Sequence, residues 1–255
     1  MIDYHIHTTF SDGERSAREI IDLAREQGLQ RIAITDHFDP SDLHQSNAGV
    51  TVDQLAEHFA DIRSYSSGQD IIVYCGIETC MSDDGLLTLP EGCRELCDII
   101  ITSPHFLDRA LPCVKGEYMN DAYWQAYKVK LLHMAAGEGD VLGHPEGYLP
   151  LKPMLDDGTT YLSRQQICRD ISERYFDELF VDRLGDALVR SGKAYELHGA
   201  TSTPREWVVE ALHRKGVTFS VGSDAHAVNI LGGNSRAMQL VKKYGLRLIQ
   251  LHSKQ

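Results

Sequence analysis

The sequence predicts an α/β fold: a distorted (β/α)7, TIM-like barrel with its functional residues at the C-terminal ends of the strands. Three observations predict it. Short β-branched or apolar runs alternate with longer stretches of helical periodicity along the whole chain, the signature of βα repetition around a mostly parallel sheet. Nearly every apolar run ends in a histidine or carboxylate. These residues can meet only if the sheet curves or closes, because seven strands in an open sheet spread over about 29 Å at ~4.8 Å spacing.

The first run, Ile2–His7, is followed by a helix that opens with Ser16 answered by Glu19, a capping box. Gly28 stands where a C-terminal cap belongs, before the run Arg31–Thr35. A second box, Thr51/Gln54, opens the helix leading to Ile71–Ile77. The runs Asp98–Thr102 and Asp140–Leu142 follow, then a third box at Ser163/Gln166 and the run Ala194–Leu197. A fourth box, Thr203/Glu206, carries Pro204 at the first helical position, and Gly216 precedes the last run, Val217–Val221. The stretches Asp39–Gly49, Met81–Leu96 and Tyr148–Thr160, rich in Gly, Pro and Asp, read as loops inserted after strands, beside the active face.

Composition bounds the function. A chain of 255 residues buries roughly 70–75% of its unfolded surface and builds a core without disulfides. No linker or low-complexity segment divides it, so residues 1–255 read as a single domain. Twenty-five Lys+Arg against 37 Asp+Glu give a net charge of -12 without any basic run. That argues against membranes and long nucleic acid as partners unless bound cations reverse the local sign. The opening MIDYHIHTTF has neither the basic nor the apolar region of a signal peptide. Six cysteines without a CxxC pair suit reduced thiols in a cytoplasmic protein. Cys93 and Cys97 share a helical face and read as packing. Cys75 and Cys80 flank the end of the third run, and neither has a histidine partner in the sequence pattern that would make it a nucleophile.

Twelve histidines are distributed unevenly. His5 and His7 alternate on the first run and point to the same side. His37 follows the second run, Glu78 the third, His105 the fourth and His144 the fifth. His198 ends the sixth, while Asp224 and His226 follow the seventh with i, i+2 spacing. Clustered imidazoles need partners for their buried ring nitrogens, and a cation supplies one. By contrast His58, His133 and His213 fall within helices, His44 in a loop and His252 in the tail, where packing or exposure accounts for them. Asp12, before Gly13 and the first helix, is either a further ligand or a turn and helix-start carboxylate. Asp3 lies two residues before His5 and is expected to orient its imidazole. This many ligands exceed the needs of one ion and suit two or three, with Glu78 bridging. Mixed N/O donors favour Zn, Mn or Fe.

The order H5-I-H7-T-T-F-S-D12-G, I-T-D-H37, G-I-E78, S-P-H105, G-H144-P and G-S-D224-A-H226 resembles the polymerase-and-histidinol-phosphatase (PHP) family of metal-dependent phosphoesterases. The resemblance implies a seven-stranded barrel with a trinuclear centre. One metal takes His5, His7, Glu78 and Asp224, a second shares Glu78 and adds His105 and His144, and a third takes Asp12, His37 and His226. It also implies hydrolysis of a small phosphomonoester such as histidinol phosphate by in-line attack of metal-activated water at phosphorus. Where many relatives read Glu-x-Asn, this chain reads E196-L-H198, so His198 is a candidate substrate contact, general acid or spacer. Arg109, with Arg164 or Lys152, is a candidate phosphate contact. The alternatives are a nucleotide or short-oligonucleotide phosphoesterase and a catalytically silent metal-binding regulatory domain.

Overall fold

The computed structural model describes residues 1–39 and 49–254; His44 and most of its loop lie outside them. Seven parallel strands run in sequence order: β1 (Ile2–Asp3), β2 (Arg31–His37), β3 (Ile72–Thr79), β4 (Ile99–Thr102), β5 (Val141–Leu142), β6 (Ala194–His198) and β7 (Phe219–Gly222). Between them lie α1 (Ala17–Glu26), α2 (Val52–Ser66), the short α3 (Cys93–Leu96), α4 (Asp121–Ala136), α5 (Tyr161–Tyr175), α6 (Glu178–Ser191) and α7 (Glu206–Arg214). A last helix, α8 (Ser235–Tyr244), follows β7. No helix among the described residues is long and apolar enough to cross a membrane.

The barrel nearly closes. Tyr4 N–H donates to Val221 O at 2.8 Å, His7 N–H to Ala225 O at 3.0 Å, and Asp224 N–H to His5 O at 2.8 Å. The first strand is therefore shared between β2 and the β7 side. This sharing shortens β1 to two residues, against the expected Ile2–His7. Beyond Asp3 the ladder with β2 is interrupted, since Ile6 N–H donates to the Thr35 hydroxyl instead of a backbone carbonyl, at 3.2 Å. Strands β2, β3 and β6 run one or two residues further than expected, so His37, Glu78 and His198 sit on strands. The register pairs His37 directly with Glu78.

Period-two alternation separates the two faces of the sheet. Outward residues pack under the helices: Ile20, Ile21, Leu55, Phe59 and Ile62 with Ile32, Ile34 and Ile77 on one side, and Trp124, Leu131, Ile171 and Leu184 with Leu197 and Val221 on the other. A third cluster draws its fully buried members from the strand segments: Tyr4, Ala33, Tyr74, Ile99, Ile101, Val141 and Ala194. It forms an apolar floor toward the N-terminal ends, closed from outside by Ile249 and Leu251. The same inward rows turn polar further on, from Ala33 to His37, Tyr74 to Glu78 and Ala194 to His198.

Two of the four expected capping boxes form, at Ser16/Glu19 and Thr51/Gln54. The other two do not. Helix α5 starts a turn earlier than expected, with Thr160 as N-cap and Ser163 N–H donating to its hydroxyl. Helix α7 starts at Glu206 without a side-chain cap. Thr203 is otherwise engaged, its backbone bridged to His198 and its hydroxyl 3.0 Å from that of Thr201.

Lys193, at the entrance to β6, is 1% exposed. Its ammonium donates to Met134 O at 2.6 Å, to Thr102 Oγ1 at 3.2 Å and to Glu138 O, so it ties the end of α4 to the sheet. Lys193→Met strands those carbonyls, and urea denaturation should show a loss of about 3 kcal/mol. Stability equal to wild type would mean that water replaces the ammonium without cost.

Candidate metal centre

The site is organised around one carboxylate. Glu78 is 1% exposed, and a buried carboxylate costs several kcal/mol unless it is closely partnered. Here five imidazoles surround it. Its Oε2 lies 3.0 Å from His37 Nδ1 and 3.4 Å from the Nε2 of both His5 and His7. Its Oε1 lies 2.9 Å from His144 Nε2 and 3.2 Å from His105 Nε2. Asp224 forms a second focus, with Oδ1 3.1 Å from His7 Nε2 and 3.5 Å from both His5 Nε2 and His226 Nδ1. Asp12 is the third, at 3.3 Å from His226, 3.6 Å from His37 and 3.6 Å from His7.

The donor atoms form compact groups: His5, His7, Glu78 and Asp224; His7, Asp12, His37 and His226; and His37, Glu78 and His105. His5, His144 and Glu196 form one more. All nine expected ligands thus converge, in clusters consistent with one to three metal ions. The residues fit such ions by an independent sign. His5 Nε2, both ring nitrogens of His7 and Asp224 Oδ1 are buried and make no well-aligned hydrogen bond among the described residues, a costly arrangement unless a cation binds there.

The electrostatics are set by buried carboxylates packed among imidazoles. Burial alone would lower the His5 pKa, but the carboxylates of Glu196, Glu78 and Asp224 outweigh it and raise it well above the ordinary value. His7 is likewise pulled down by burial but pushed up to about 10 by Asp224 and Glu78. Burial opposes ionisation of Glu78 too, yet His5, His37 and His105 hold it well below the usual carboxylate range. His37 goes the other way, dropped to about 3 by burial and the neighbouring imidazoles despite Glu78. Asp12, against the effect of burial, is held at about 2 chiefly by its bond with His226.

A supporting layer fixes the ligands. Glu196 accepts from His5 Nδ1 at 2.7 Å through Oε1 and from the His144 backbone N–H at 2.7 Å through Oε2. It, not Asp3, orients the His5 ring. Asp3 instead accepts from Ser223 N–H at 2.8 Å and Gly232 N–H at 2.9 Å, holding the loop that carries Asp224. Asp36 accepts from Thr8 N–H at 2.7 Å and from the hydroxyls of Thr8 and Ser11, and it faces His58 Nε2 at 3.1 Å. His58 thereby helps pin the loop that carries Asp12, more than simple packing. Cys80 does have a histidine partner: its Sγ is 3.4 Å from His105 Nδ1. Burial, then Asp39 and Glu78, push its thiol well above the ordinary value, which suits a prop for His105 and not a nucleophile. Gly222 is required where it stands, because a Cβ there would meet His5 Cβ at 2.4 Å and Glu196 Oε1 at 2.5 Å. Two ligands adopt left-handed backbone, His144 at φ 23° and Asp224 at φ 56°, a strain of about 1–3 kcal/mol each that functional sites commonly hold.

His198 is 1% exposed, with Nε2 3.2 Å from Asp224 Oδ2 and Nδ1 2.6 Å from Thr201 Oγ1. The cavity over the site, about 380 Å³, is lined by Asp12, His37, Glu78, His105, Asp224 and His226 together with Tyr148, Tyr161, Arg164 and Ile230. Arg164 lies over the Tyr148 ring at 5.6 Å. Arg109 is not among the lining residues; its side chain is 58% exposed and its Nε is 3.5 Å from Asp83.

Because metal ligation requires neutral imidazoles, the raised pKa values of His5 and His7 make metal uptake release protons at neutral pH. Affinity should rise with pH above neutrality, because, against the effect of burial, Asp224 and Glu78 push His7 up to about 10. Calorimetry in buffers of different ionisation heat should detect the released protons, and uptake without proton release would show that the imidazoles are already neutral. Glu196→Gln should weaken metal binding roughly 10- to 100-fold, measured by competition with a chelating dye; an unchanged affinity would remove its orienting role.

The PHP domain family matches residues 3–185. The chain is 23% identical over 244 residues to the DNA polymerase/3'-5' exonuclease PolX of Bacillus subtilis, a match covering 94% of this chain and 37% of that protein. The chain therefore spans little more than a third of that relative. It is 24% identical over 259 residues to a Thermotoga maritima protein described as "Probable histidinol-phosphatase", covering 100% of this chain and 97% of the other. The fold is similar to that of a histidinol phosphate phosphatase from Lactococcus lactis solved with zinc, L-histidinol and phosphate, with a TM-score of 0.69 at 18% identity over 99% of this chain and 97% of that one. With its sequence match and its convergent imidazoles and carboxylates, the chain belongs to the PHP domain family of metal-dependent phosphoesterases.

Proposed function

We propose that this single-domain protein is a cytoplasmic phosphomonoesterase for small substrates, with histidinol phosphate as the reference case. The observation that carries the reading is Glu78, whose two oxygens face five imidazoles from the ends of several strands. Three ions drawn from Zn, Mn or Fe are the proposed cofactors. His5, His7, Glu78 and Asp224 would hold one, Glu78, His105 and His144 a second, and Asp12, His37 and His226 a third. Bound there, such ions supply Lewis acidity and lower the pKa of water toward neutrality, which is the chemistry hydrolysis at phosphorus requires.

The chain's own residues supply the rest. Arg164, whose buried Nε has no hydrogen-bond partner among the described residues and which lines the cavity, binds the phosphoryl oxygens through its fixed fork of donors. Tyr148 and Tyr161, hydroxyl to hydroxyl at 3.2 Å, narrow the entrance. His198 holds Asp224 in position through Nε2, so its role is positioning and not proton transfer to the leaving group. Arg109 stands outside the phosphate pocket, paired with Asp83. The small cavity and the net charge of -12 favour a compact ester over a polynucleotide, whose binding draws on cationic neutralisation. The free state of all six cysteines supports a reducing location.

With metal supplied, the protein should hydrolyse aryl phosphates and release inorganic phosphate. Either His7→Ala or Asp224→Ala should lower kcat by at least roughly a hundred- to a thousandfold, with an unchanged circular dichroism spectrum. Wild-type turnover in either variant would overturn the reading. Arg164→Ala should raise KM roughly tenfold with a smaller change in kcat. An unaltered KM would take the phosphate contact away from Arg164.

A further inference from the structure

A second cleft opens beside the metal cavity, and His105 lines both. Its volume is about 480 Å³, larger than the metal cavity. The walls are mostly carbon, from Phe106, Leu107, Leu111, Tyr123 and Pro150, and Arg109 and Lys152 stand on its border. The cleft is preformed. Lys130, 1% exposed, lies 4.4 Å over the Phe106 ring and 3.2 Å from Asp83. The backbone N–H groups of Asp108 and Arg109 donate to the Asp83 carboxylate at 3.1 and 3.3 Å, and the Tyr123 hydroxyl donates to Pro150 O at 2.6 Å.

Local charge runs against that of the whole molecule. The charged residues that line the cleft are Arg109 and Lys152 against one carboxylate, Asp108, in a chain of net charge -12. Lys130 and Arg109 are committed to Asp83, while Lys152 is exposed and enters no ion pair among the described residues. A group that reaches past His105 from the metal cavity therefore has an apolar cleft beside it, with Lys152 in its lining.

Building on the phosphomonoesterase reading, we propose that this cleft receives the leaving alcohol and selects esters whose alcohol carries an apolar ring ending in a carboxylate. The ring gains from burial against Phe106 and Leu111, and the carboxylate meets Lys152 at the border. An alcohol bearing an ammonium group, as histidinol does, meets the wrong charge here, so histidinol phosphate marks the reaction class and not the ester this cleft prefers.

The test compares the metal-loaded full chain on para-carboxybenzyl phosphate and ethanolamine phosphate. Wild type should favour the former by roughly tenfold or more in kcat/KM. Lys152→Glu, a surface change, should reduce that ratio about tenfold, and Ala110→Trp, which fills the trough, should reduce it as well. Calorimetry with the product alcohol, para-hydroxymethylbenzoate, reads the cleft without turnover and should show weaker binding to Lys152→Glu than to wild type. Equal kcat/KM for the two esters, or equal binding of the alcohol to wild type and Lys152→Glu, overturns the assignment while leaving the phosphatase reading intact. Failure to hydrolyse both esters and an aryl phosphate alike removes the phosphatase reading and, with it, the leaving-group role of the cleft, whereas turnover of the aryl phosphate with neither ester overturns the assignment alone.

Discussion

A dehydrated carboxylate, Glu78, lies at the centre of the barrel mouth with imidazoles on every side. Neither partner is comfortable alone, since burial opposes the charge of the acid and of the bases alike. Against that burial, the carboxylates of Glu196, Glu78 and Asp224 favour positive charge on His5, and Asp224 and Glu78 favour it on His7. Divalent ions would meet the same carboxylates with more charge in less space. The constraint acts on the fold as well as on the chemistry. The clustered side chains come from strands that would lie far apart in an open sheet, so the first strand must lie against the seventh. Tyr4, His7 and Asp224 make that closure through their backbone N–H groups.

Holding the cluster requires a layer of residues that touch no solvent and face no substrate. Glu196 joins two ligands by bonding the ring of one and the backbone of the other. Asp3 and Asp36 each collect N–H and O–H donors from a loop that bears a ligand. Gly222 permits the close approach of β7 to His5 and Glu196. The left-handed backbones of His144 and Asp224 aim their side chains inward, and hydrogen bonds from their own N–H groups to Glu196 and His5 O hold them there. Rigidity of this kind lowers the reorganisation that binding and reaction demand.

The seven strands and the gathering of histidines and carboxylates at their ends were readable from sequence because each depends on local pattern. An apolar run followed by His or Glu marks a strand end whatever lies across the barrel. What escaped depends on distant contacts. Glu196 bonds His5 across 191 positions, and in the sequence it is simply an acid on a strand, though its i, i+2 spacing from His198 placed both on the inner face. Asp3 shares that spacing with His5 but turns to the loop after β7. Its short side chain finds the N–H groups of Ser223 and Gly232 there. The short β1 was hidden for a related reason: a side-chain hydroxyl, that of Thr35, takes the place of a ladder carbonyl. At α7 the capping pattern was present, but Thr203 was already engaged by His198 and Thr201.

The central claim is that the ligands around Glu78 form a polynuclear metal centre. Anomalous diffraction above and below the zinc, iron and manganese edges, from crystals of protein purified without chelator, tests it most directly. Two or three anomalous peaks within coordinating distance of Glu78, Asp224 and Asp12 are the expected result. A fully occupied lattice with no peak at these residues, or with metal bound only elsewhere on the chain, would contradict it.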